Sequence, residues 1–251
     1  MITRSLLLRV LAGAALAAAP VCCAAGEEEP EPPEVSLQPA TAAASADPGF
    51  HLARANACAD GGDYDGAIAG YTAALKLDPA LAEAYENRGV AQHLKENFDA
   101  AIADFTRAIK LAGKRASAHY NRGLSRARKR QYDAAIVDFT RAAALDPKMA
   151  AAYNARGLAY AMKSRYDKAI TDFTRVIKLA PGSPDGYVNR GTSYGYSGRY
   201  AKAAADFSEA IARDPGQPQA YMGRAKAYLL LGETEKAAAD EAKFKALAHG
   251  Y

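Results

Sequence analysis

The chain repeats itself every 34 residues over most of its length. An Arg-Gly pair recurs at Arg88-Gly89, Arg122-Gly123, Arg156-Gly157 and Arg190-Gly191, and becomes Arg224-Ala225 in the last copy. Aromatic residues recur in step at Phe98, Tyr132, Tyr166 and Tyr200, and Ala101, Ala135, Ala169 and Ala203 each precede by four residues Phe105, Phe139, Phe173 and Phe207. Such a period limits the fold, because each copy must bury its apolar face against its neighbours.

Each copy has the pattern of two amphipathic helices. Residues 82–115 read AEAYENRGVAQHLKENFDAAIADFTRAIKLAGKR, in which apolar or small residues such as Tyr85, Gly89 and Phe105 recur at helical spacing. This spacing predicts two helices separated by a turn near Lys95–Asn97. The small side chains at Gly89 and Ala101 predict that the two helices approach each other closely, with aromatic rings filling the space beside them.

The end of each copy carries a helix stop. Proline follows Asp or Ala at Pro79, Pro147, Pro181 and Pro215. Proline cannot continue a helix and holds the residue before it in extended conformation, so each copy should end there. The second copy ends in LAGKR, where Gly113 can serve the same purpose.

Charge and motif content argue against nucleic-acid binding and catalysis. The 251 residues include 32 basic and 28 acidic side chains, which gives a formal charge of only +4. Both signs alternate along the repeats, as is typical of solvated helices. No histidine recurs with cysteine or carboxylates at metal-ligand spacing (His51, His93, His119, His249). We therefore predict no catalytic residue, no metal and no cofactor.

The N-terminus has the pattern of a secretory signal. Arg4 and Arg9 precede the apolar stretch 10–19 and a run of small residues, so residues 1–25 are predicted to be a signal peptide. A short retained anchor and a lipoprotein, with lipid on Cys22 or Cys23, are the alternatives. Residues 26–47 are rich in Pro, Glu and Ala and are predicted to be a flexible linker. We expect a periplasmic or secreted protein without a membrane span once the signal is removed.

The repeat resembles the tetratricopeptide repeat. The family pattern of aromatic and small residues matches Tyr153, Gly157, Tyr160, Ala169, Phe173 and Pro181 in one copy. Six such repeats follow one another, at residues 48–81, 82–115, 116–149, 150–183, 184–217 and 218–251. The resemblance implies an all-α fold, an α-solenoid of six helix-turn-helix repeats wound as a right-handed superhelix.

One departure from the family pattern suggests structural ion pairs. Where the family usually has Leu before the Gly, this chain has Arg54, Arg88, Arg122, Arg156, Arg190 and Arg224. A buried guanidinium needs a partner, and aspartates recur at constant offset on the second helix, at Asp104, Asp138, Asp172, Asp206 and Asp240. We predict that each Arg pairs with the Asp of its own repeat.

A local pair three residues apart, such as Asp104 with Arg107, is the alternative. The fifth repeat favours the pair between helices, because Glu209 replaces the local basic residue there while Arg190 and Asp206 remain. The first repeat is an exception. Gly70 stands in its Asp position, so Arg54 is predicted to be unpaired.

The resemblance also implies a concave groove lined by the first helix of each repeat. The groove positions would be Leu52, Asn56, Glu86, Val90, Tyr120, Leu124, Arg128, Asn154, Leu158, Met162, Val188, Thr192, Tyr196, Met222, Lys226 and Leu230. This surface is largely apolar, which suits an extended peptide or a helix. We expect a non-catalytic scaffold for a protein or peptide partner in the cell envelope; the alternative is an accessory subunit that binds a small or lipidic ligand.

Overall fold

The fold is described from a computed structural model, over residues 47–248. The predicted signal peptide, residues 1–25, and all but the last residue of the predicted linker, residues 26–47, lie outside this range. His249 lies outside it too. The predictions for those segments therefore remain predictions.

Residues 47–248 contain twelve α-helices and no strand. None of the twelve is long and apolar enough to span a membrane. The helices are α1 (Pro48–Asp60), α2 (Tyr64–Leu77), α3 (Ala82–Leu94), α4 (Phe98–Leu111), α5 (Ala116–Arg128), α6 (Tyr132–Leu145), α7 (Ala150–Met162), α8 (Tyr166–Leu179), α9 (Asp185–Tyr196), α10 (Tyr200–Arg213), α11 (Pro218–Leu231) and α12 (Thr234–Ala248).

The described residues form two compact units, 47–125 and 126–248, with the boundary inside α5. In the N-terminal unit, α1 packs on α2, α2 on α3 and α3 on α4. In the C-terminal unit, each helix from α6 to α12 packs on the next in the same way. Packing of each helix pair on its neighbours is the arrangement of an α-solenoid, so the predicted all-α repeat fold is confirmed.

The turn between the two helices of every repeat has a left-handed residue at the same position. Glycine occupies it in three repeats, at Gly62, Gly198 and Gly232, with φ of 80°, 76° and 79°. Glu96, Arg130 and Ser164 occupy it in the others, with φ of 61°, 61° and 57°. The next residue closes the turn, as when the Asn97 amide donates to the Gln92 carbonyl at 2.8 Å. This is the Schellman ending of a helix, and it lies within the predicted turn at 95–97.

The connection between repeats begins with an extended residue. Asp78, Asp146 and Asp214 follow the ends of α2, α6 and α10 and have φ near −130° to −140°. Each carboxylate accepts a hydrogen bond from the amide two residues on, at 2.8–2.9 Å. The Asp-Pro sequence therefore ends the helix in two ways. Proline excludes the helical conformation at the aspartate before it, and the aspartate side chain caps the turn that follows.

The core consists of large rings set against very small residues. Phe105, Phe139 and Phe173 are completely buried, and the alanines around them are buried to a similar degree. A Cβ added to Gly89 would lie 2.9 Å from Phe105 Cε1, and one added to Gly157 would lie 2.7 Å from Phe173 Cε1. Glycine is therefore required at these positions because the ring of the second helix occupies the space of a side chain.

We expect Gly157→Ala to destabilise the protein. Alanine in place of glycine ordinarily stabilises a helix by about 1 kcal/mol, but here the new methyl group meets a fully buried ring. Overpacking of this kind costs about 1–3 kcal/mol and should outweigh the helix preference. Urea unfolding measures the difference. Gly182→Ala is the control, since a Cβ there meets no atom within 4 Å; equal stability of the two variants would contradict the packing argument.

Candidate functional site

Within the repeats, the arginine of the first helix forms an ion pair with the aspartate of the second helix. Arg156 Nε lies 2.8 Å from Asp172 Oδ2, and its Nη2 lies 2.7 Å from Asp172 Oδ1. Only 5% of the Asp172 side chain is exposed, and 17% of Arg156. Two parallel N–H···O bonds make the strongest arrangement open to this pair. The same bidentate contact joins Arg88 to Asp104, Arg190 to Asp206 and Arg224 to Asp240.

The same guanidinium also reaches the preceding repeat. Arg156 Nη1 donates to Thr140 Oγ1 at 3.1 Å, and that hydroxyl donates in turn to the Ile136 carbonyl at 2.7 Å. Equivalent contacts join Arg88 to Thr72, Arg122 to Thr106, Arg190 to Thr174 and Arg224 to Ser208, at 2.9–3.1 Å. We call the arginine with its carboxylate and hydroxyl acceptors the arginine bridge.

Sequence reasoning missed the hydroxyl of the arginine bridge. The sequence does contain a pattern that predicts it. In each of the first five repeats a Thr or Ser stands two residues after the aspartate position, which Gly70 occupies in the first repeat. The sixth repeat has Ala242 at this position. A threonine on the outer part of a helix, however, usually bonds only to its own backbone.

A tyrosine lies beside the bridge. The Tyr153 ring centroid is 5.4 Å from Arg156 Cζ and 5.7 Å from Arg175 Cζ. Arg175 thus packs on the ring and donates to the Pro147 carbonyl at 3.2 Å, whereas Asp172 is held by Arg156. The hydrogen bond to Asp172 raises the pKa of Arg156 further above its usual value, although burial opposes this. The arginine therefore carries its charge at every physiological pH.

Two repeats depart from the pattern. Arg122 and Asp138 belong to different compact units, so their pairing stays a prediction; within its own unit Asp138 accepts from Arg126 Nη1 at 2.8 Å. In the first repeat, Gly70 replaces the aspartate and Arg54 has no ion-pair or hydrogen-bond partner in residues 47–248.

The N-terminal unit contains a cavity of about 470 Å³ on the side of its first helices. The first helices α1 and α3 of the two adjacent repeats contact each other, and Tyr71 of α2 also lines the cavity. The lining residues are Asn56, Ala59, Asp60, Tyr64, Tyr71, Asn87, Val90, Ala91 and Leu94. Two of the predicted groove positions, Asn56 and Val90, thus line one cavity. We call it the amide groove.

Two asparagines set the polarity of the amide groove. Asn56 Oδ1 accepts from the Tyr71 hydroxyl at 2.7 Å and from Asn87 Nδ2 at 3.1 Å. Burial, reinforced by the charges of Asp60 and Glu83, raises the pKa of Tyr71 to about 12, so the hydroxyl keeps its proton. Asn56 Nδ2 and Asn87 Oδ1 bond to nothing in residues 47–248. The groove thus offers one amide donor and one amide acceptor.

Other predicted groove positions are occupied by packing. Glu86 is 7% exposed and accepts from Arg115 Nη1 at 2.7 Å, so it serves an ion pair. Tyr120, Leu124 and Leu158 are buried, and burial raises the pKa of Tyr120 to about 12. Leu52 packs partly buried against the core of the first repeat.

The remaining predicted positions lie in the C-terminal unit. Asn154 accepts from Asn189 Nδ2 at 2.9 Å, Tyr196 stacks on Tyr166 with 5.5 Å between ring centroids, and Val188 packs on the Phe207 core. Thr192, Lys226 and Leu230 line a cavity of only about 30 Å³. Arg128, Met162 and Met222 are half-buried.

No group of three His, Cys, Asp or Glu side chains in the described part of the chain could hold a metal ion. His93 Nδ1 lies 2.8 Å from Ser125 Oγ in a buried contact, where both groups are enclosed by packing.

Helix pairs stacked in sequence within each unit define a helical-repeat protein. The chain belongs to the tetratricopeptide repeat family. A tetratricopeptide repeat model matches residues 120–184 and 188–248, a second matches residues 82–114, and a TPR repeat model matches residues 55–96. The predicted family is therefore confirmed.

Solved structures of similar fold agree with this assignment. MamA protein is 28% identical, covering 67% of this chain and 92% of its own, with a TM-score of 0.64. YrrB, described as a TPR protein with an unusual peptide-binding site, is 26% identical over 70% of this chain and 90% of its own, with a TM-score of 0.64. PilW, a type IV pilus biogenesis factor, shares the fold at 22% identity and a TM-score of 0.68, over 79% of this chain and 92% of its own. No curated protein sequence matches the chain.

A double-mutant cycle should measure strong coupling across the bridge. Arg156→Ala and Asp172→Ala each leave a largely buried charge without its partner, so we expect a coupling free energy of about 1–3 kcal/mol in urea unfolding. The exposed pair Lys236 and Glu233, three residues apart on the surface, is the control and should couple by less than about 0.5 kcal/mol. If Arg156 and Asp172 coupled as weakly as the control pair does, their ion pair would not stabilise the repeat.

The contribution of the hydroxyl acceptor to stability can be tested with two threonines of the same helix, α8. Thr174→Val removes the acceptor of Arg190 Nη1, whereas Thr171→Val removes a hydroxyl that bonds only to the Asp167 carbonyl. Losing a hydrogen bond to a charged group should cost about 1–2 kcal/mol at Thr174, and the change at Thr171 should be close to zero. Thermal and urea unfolding provide the comparison; equal effects would mean that the contact contributes nothing.

Proposed function

We propose that this protein is a non-catalytic scaffold that holds an extended peptide segment of a protein partner in the amide groove, in the cell envelope. The observation that carries the proposal is that Asn56 Nδ2 and Asn87 Oδ1 have no hydrogen-bond partner among residues 47–248, while the other atom of each amide is bonded. Asn56 Nδ2 is a donor and Asn87 Oδ1 an acceptor, which matches the N–H and C=O of a peptide backbone.

The groove has the dimensions and lining for such a segment. Its volume of about 470 Å³ lies within the range of binding clefts. Val90 and Leu94 provide apolar surface for side chains, and Asp60 provides a negative charge at the same cavity. The peptide-binding site named for YrrB, a neighbour at 26% identity, supports a peptide as the class of ligand.

The Asn56 amide is oriented before any ligand arrives. Its oxygen is held by two hydrogen bonds, from Tyr71 and Asn87, so its Nδ2 group is fixed in position. A fixed donor loses less conformational entropy on binding than a mobile one. A lipid acyl chain in the same space would cover both amides without bonding to them, at a cost in free energy. The cavity therefore favours a peptide over the alternative lipidic ligand.

The location in the envelope rests on the sequence of residues 1–25, with its two arginines and apolar stretch. The non-catalytic role is supported by the family, whose repeats are interaction modules.

We expect Val90→Arg to abolish partner binding, because the long charged side chain would fill the amide groove. Val137→Arg is the matched control, since Val137 lies on the second helix α6 and is 67% exposed. The tagged wild type and both variants are used to capture proteins from an envelope extract, and thermal unfolding verifies that all three are folded. The partner should appear with the wild type and Val137→Arg only.

Retention of the partner by Val90→Arg would contradict the groove as the binding site. Solvent extraction and mass analysis of the purified wild type test the alternative ligand class. A lipid that copurifies with the wild type and is lost from Val90→Arg would replace the peptide by a lipidic ligand.

A further inference from the structure

The first repeat lacks three side chains that the fourth, fifth and sixth repeats place together. In the fourth repeat these are Tyr160, Lys168 and Asp172. The fifth and sixth repeats carry the same residue types, at Tyr194, Lys202, Asp206, Tyr228, Lys236 and Asp240. The equivalent positions in the first repeat hold Cys58, Gly66 and Gly70.

In the fourth to sixth repeats these three side chains lie beside the bridge arginine. Lys168 Nζ lies 5.6 Å from the centroid of the Tyr160 ring, and Arg156 binds both oxygens of Asp172. The corresponding lysine–tyrosine distances are 5.7 Å and 5.4 Å in the fifth and sixth repeats. A ring, a carboxylate and a guanidinium thus form one compact group in each.

In the first repeat the same space is a cavity of about 350 Å³. It is lined by Arg54, Ala55, Cys58, Gly66 and Gly70, together with His51, Asp63, Ala69 and Ala73. None of these residues lines the amide groove, so the two cavities are separate. Arg54 is exposed and has no partner among residues 47–248. A guanidinium with five donors therefore faces a cavity from which its usual carboxylate is missing.

The first repeat holds α1 and α2 too close together for an aspartate at position 70 without a shift of the helices. In the fifth repeat, Gly191 allows the Cβ of Asp206 to approach, since a Cβ on Gly191 would lie 3.2 Å from it. In the first repeat a Cβ on Gly70 would lie 2.8 Å from the Ala55 Cβ. The sixth repeat also has alanine at this position, Ala225, yet holds Asp240, so the restriction comes from the closer approach of α1 and α2 in the first repeat. A carboxylate that belongs to a ligand is not attached to α2 and is free of this restriction.

We infer that this cavity binds an organic carboxylate. The carboxylate takes two hydrogen bonds from Arg54, as Asp172 does from Arg156, and an attached ring or hydrocarbon fills the space above Cys58 that Tyr160 fills in the fourth repeat. The acidic residue that lines the cavity, Asp63, is engaged at the N-terminus of α2, where its Oδ1 accepts from the Gly66 amide at 2.9 Å. A free carboxylic acid and the C-terminal aromatic residue of a peptide share this chemistry.

Calorimetric titration of the full chain tests the inference. The probes are 3-(4-hydroxyphenyl)propanoate, which joins a phenol ring to a carboxylate, and the tripeptide Ala-Ala-Tyr. Ethylphenol and the C-terminal amide of the tripeptide lack the carboxylate and should not bind. Binding of the free acid alone, of the tripeptide alone or of both supports the site and identifies the source of the carboxylate. Binding of neither overturns the inference.

Two variants of the first repeat assign the binding to this cavity. Arg54→Gln should weaken probe affinity by about tenfold or more, because charge-assisted hydrogen bonds are lost. The double variant Ala55→Gly/Gly70→Asp should also lose the probe, because the chain then supplies its own carboxylate. Unfolding temperatures should be at least as high as in the wild type for the double variant and little changed for Arg54→Gln.

Arg130→Gln, which alters an exposed arginine in a turn of the C-terminal unit, is the control and should retain the affinity of the wild type. The inference is overturned if Arg54→Gln binds the probe as tightly as Arg130→Gln does. Val90→Arg should leave the titration unchanged, so failure of the amide groove as a peptide site and failure of this cavity as a carboxylate site can be distinguished.

Discussion

The packing of the repeats depends on an arginine guanidinium that is largely buried between helices. Arg156 contacts two side chains from two different second helices, Asp172 of its own repeat and Thr140 of the repeat before it. A largely buried cation is stable only when its N–H donors have hydrogen-bond acceptors. Both second helices must therefore lie where their carboxylate and hydroxyl oxygens reach the planar guanidinium. Lysine could not do this, because an ammonium group has no fixed plane and cannot bind a carboxylate bidentately.

The close approach of the helices is set by glycine, alanine and phenylalanine, and these were readable in the sequence. Gly157 and Phe173 recur at a fixed spacing, and that spacing predicted two closely packed helices per repeat. The stacking of the repeats as a solenoid was implied by the resemblance to the tetratricopeptide repeat. The pair of Arg156 with Asp172 was also predicted from sequence, because both residues recur at constant offset and a buried charge requires a partner. Thr140 was not predicted, since its role depends on the distance between neighbouring repeats rather than on its own helix.

The groove positions were harder to predict, for a physical reason. Whether a side chain on a first helix faces solvent depends on how closely the next first helix crosses it, which is a property of packing between repeats. Leu158 is fully buried and Glu86 is held by Arg115, whereas Val90 lines an open cavity. Tyr71 was not predicted to lie there, because it belongs to a second helix; its hydroxyl nevertheless reaches Asn56 Oδ1 of α1 at 2.7 Å.

The first and sixth repeats each lack one part of the arginine bridge. Each bridge needs a hydroxyl on one helix pair and an arginine with its carboxylate on the next. The sixth repeat offers a methyl group at Ala242 instead of the hydroxyl, and the first repeat offers Arg54 without the aspartate. If a sixth repeat met a first repeat of another copy, Ala242 and Arg54 would therefore not form the arginine bridge that joins repeats inside the chain.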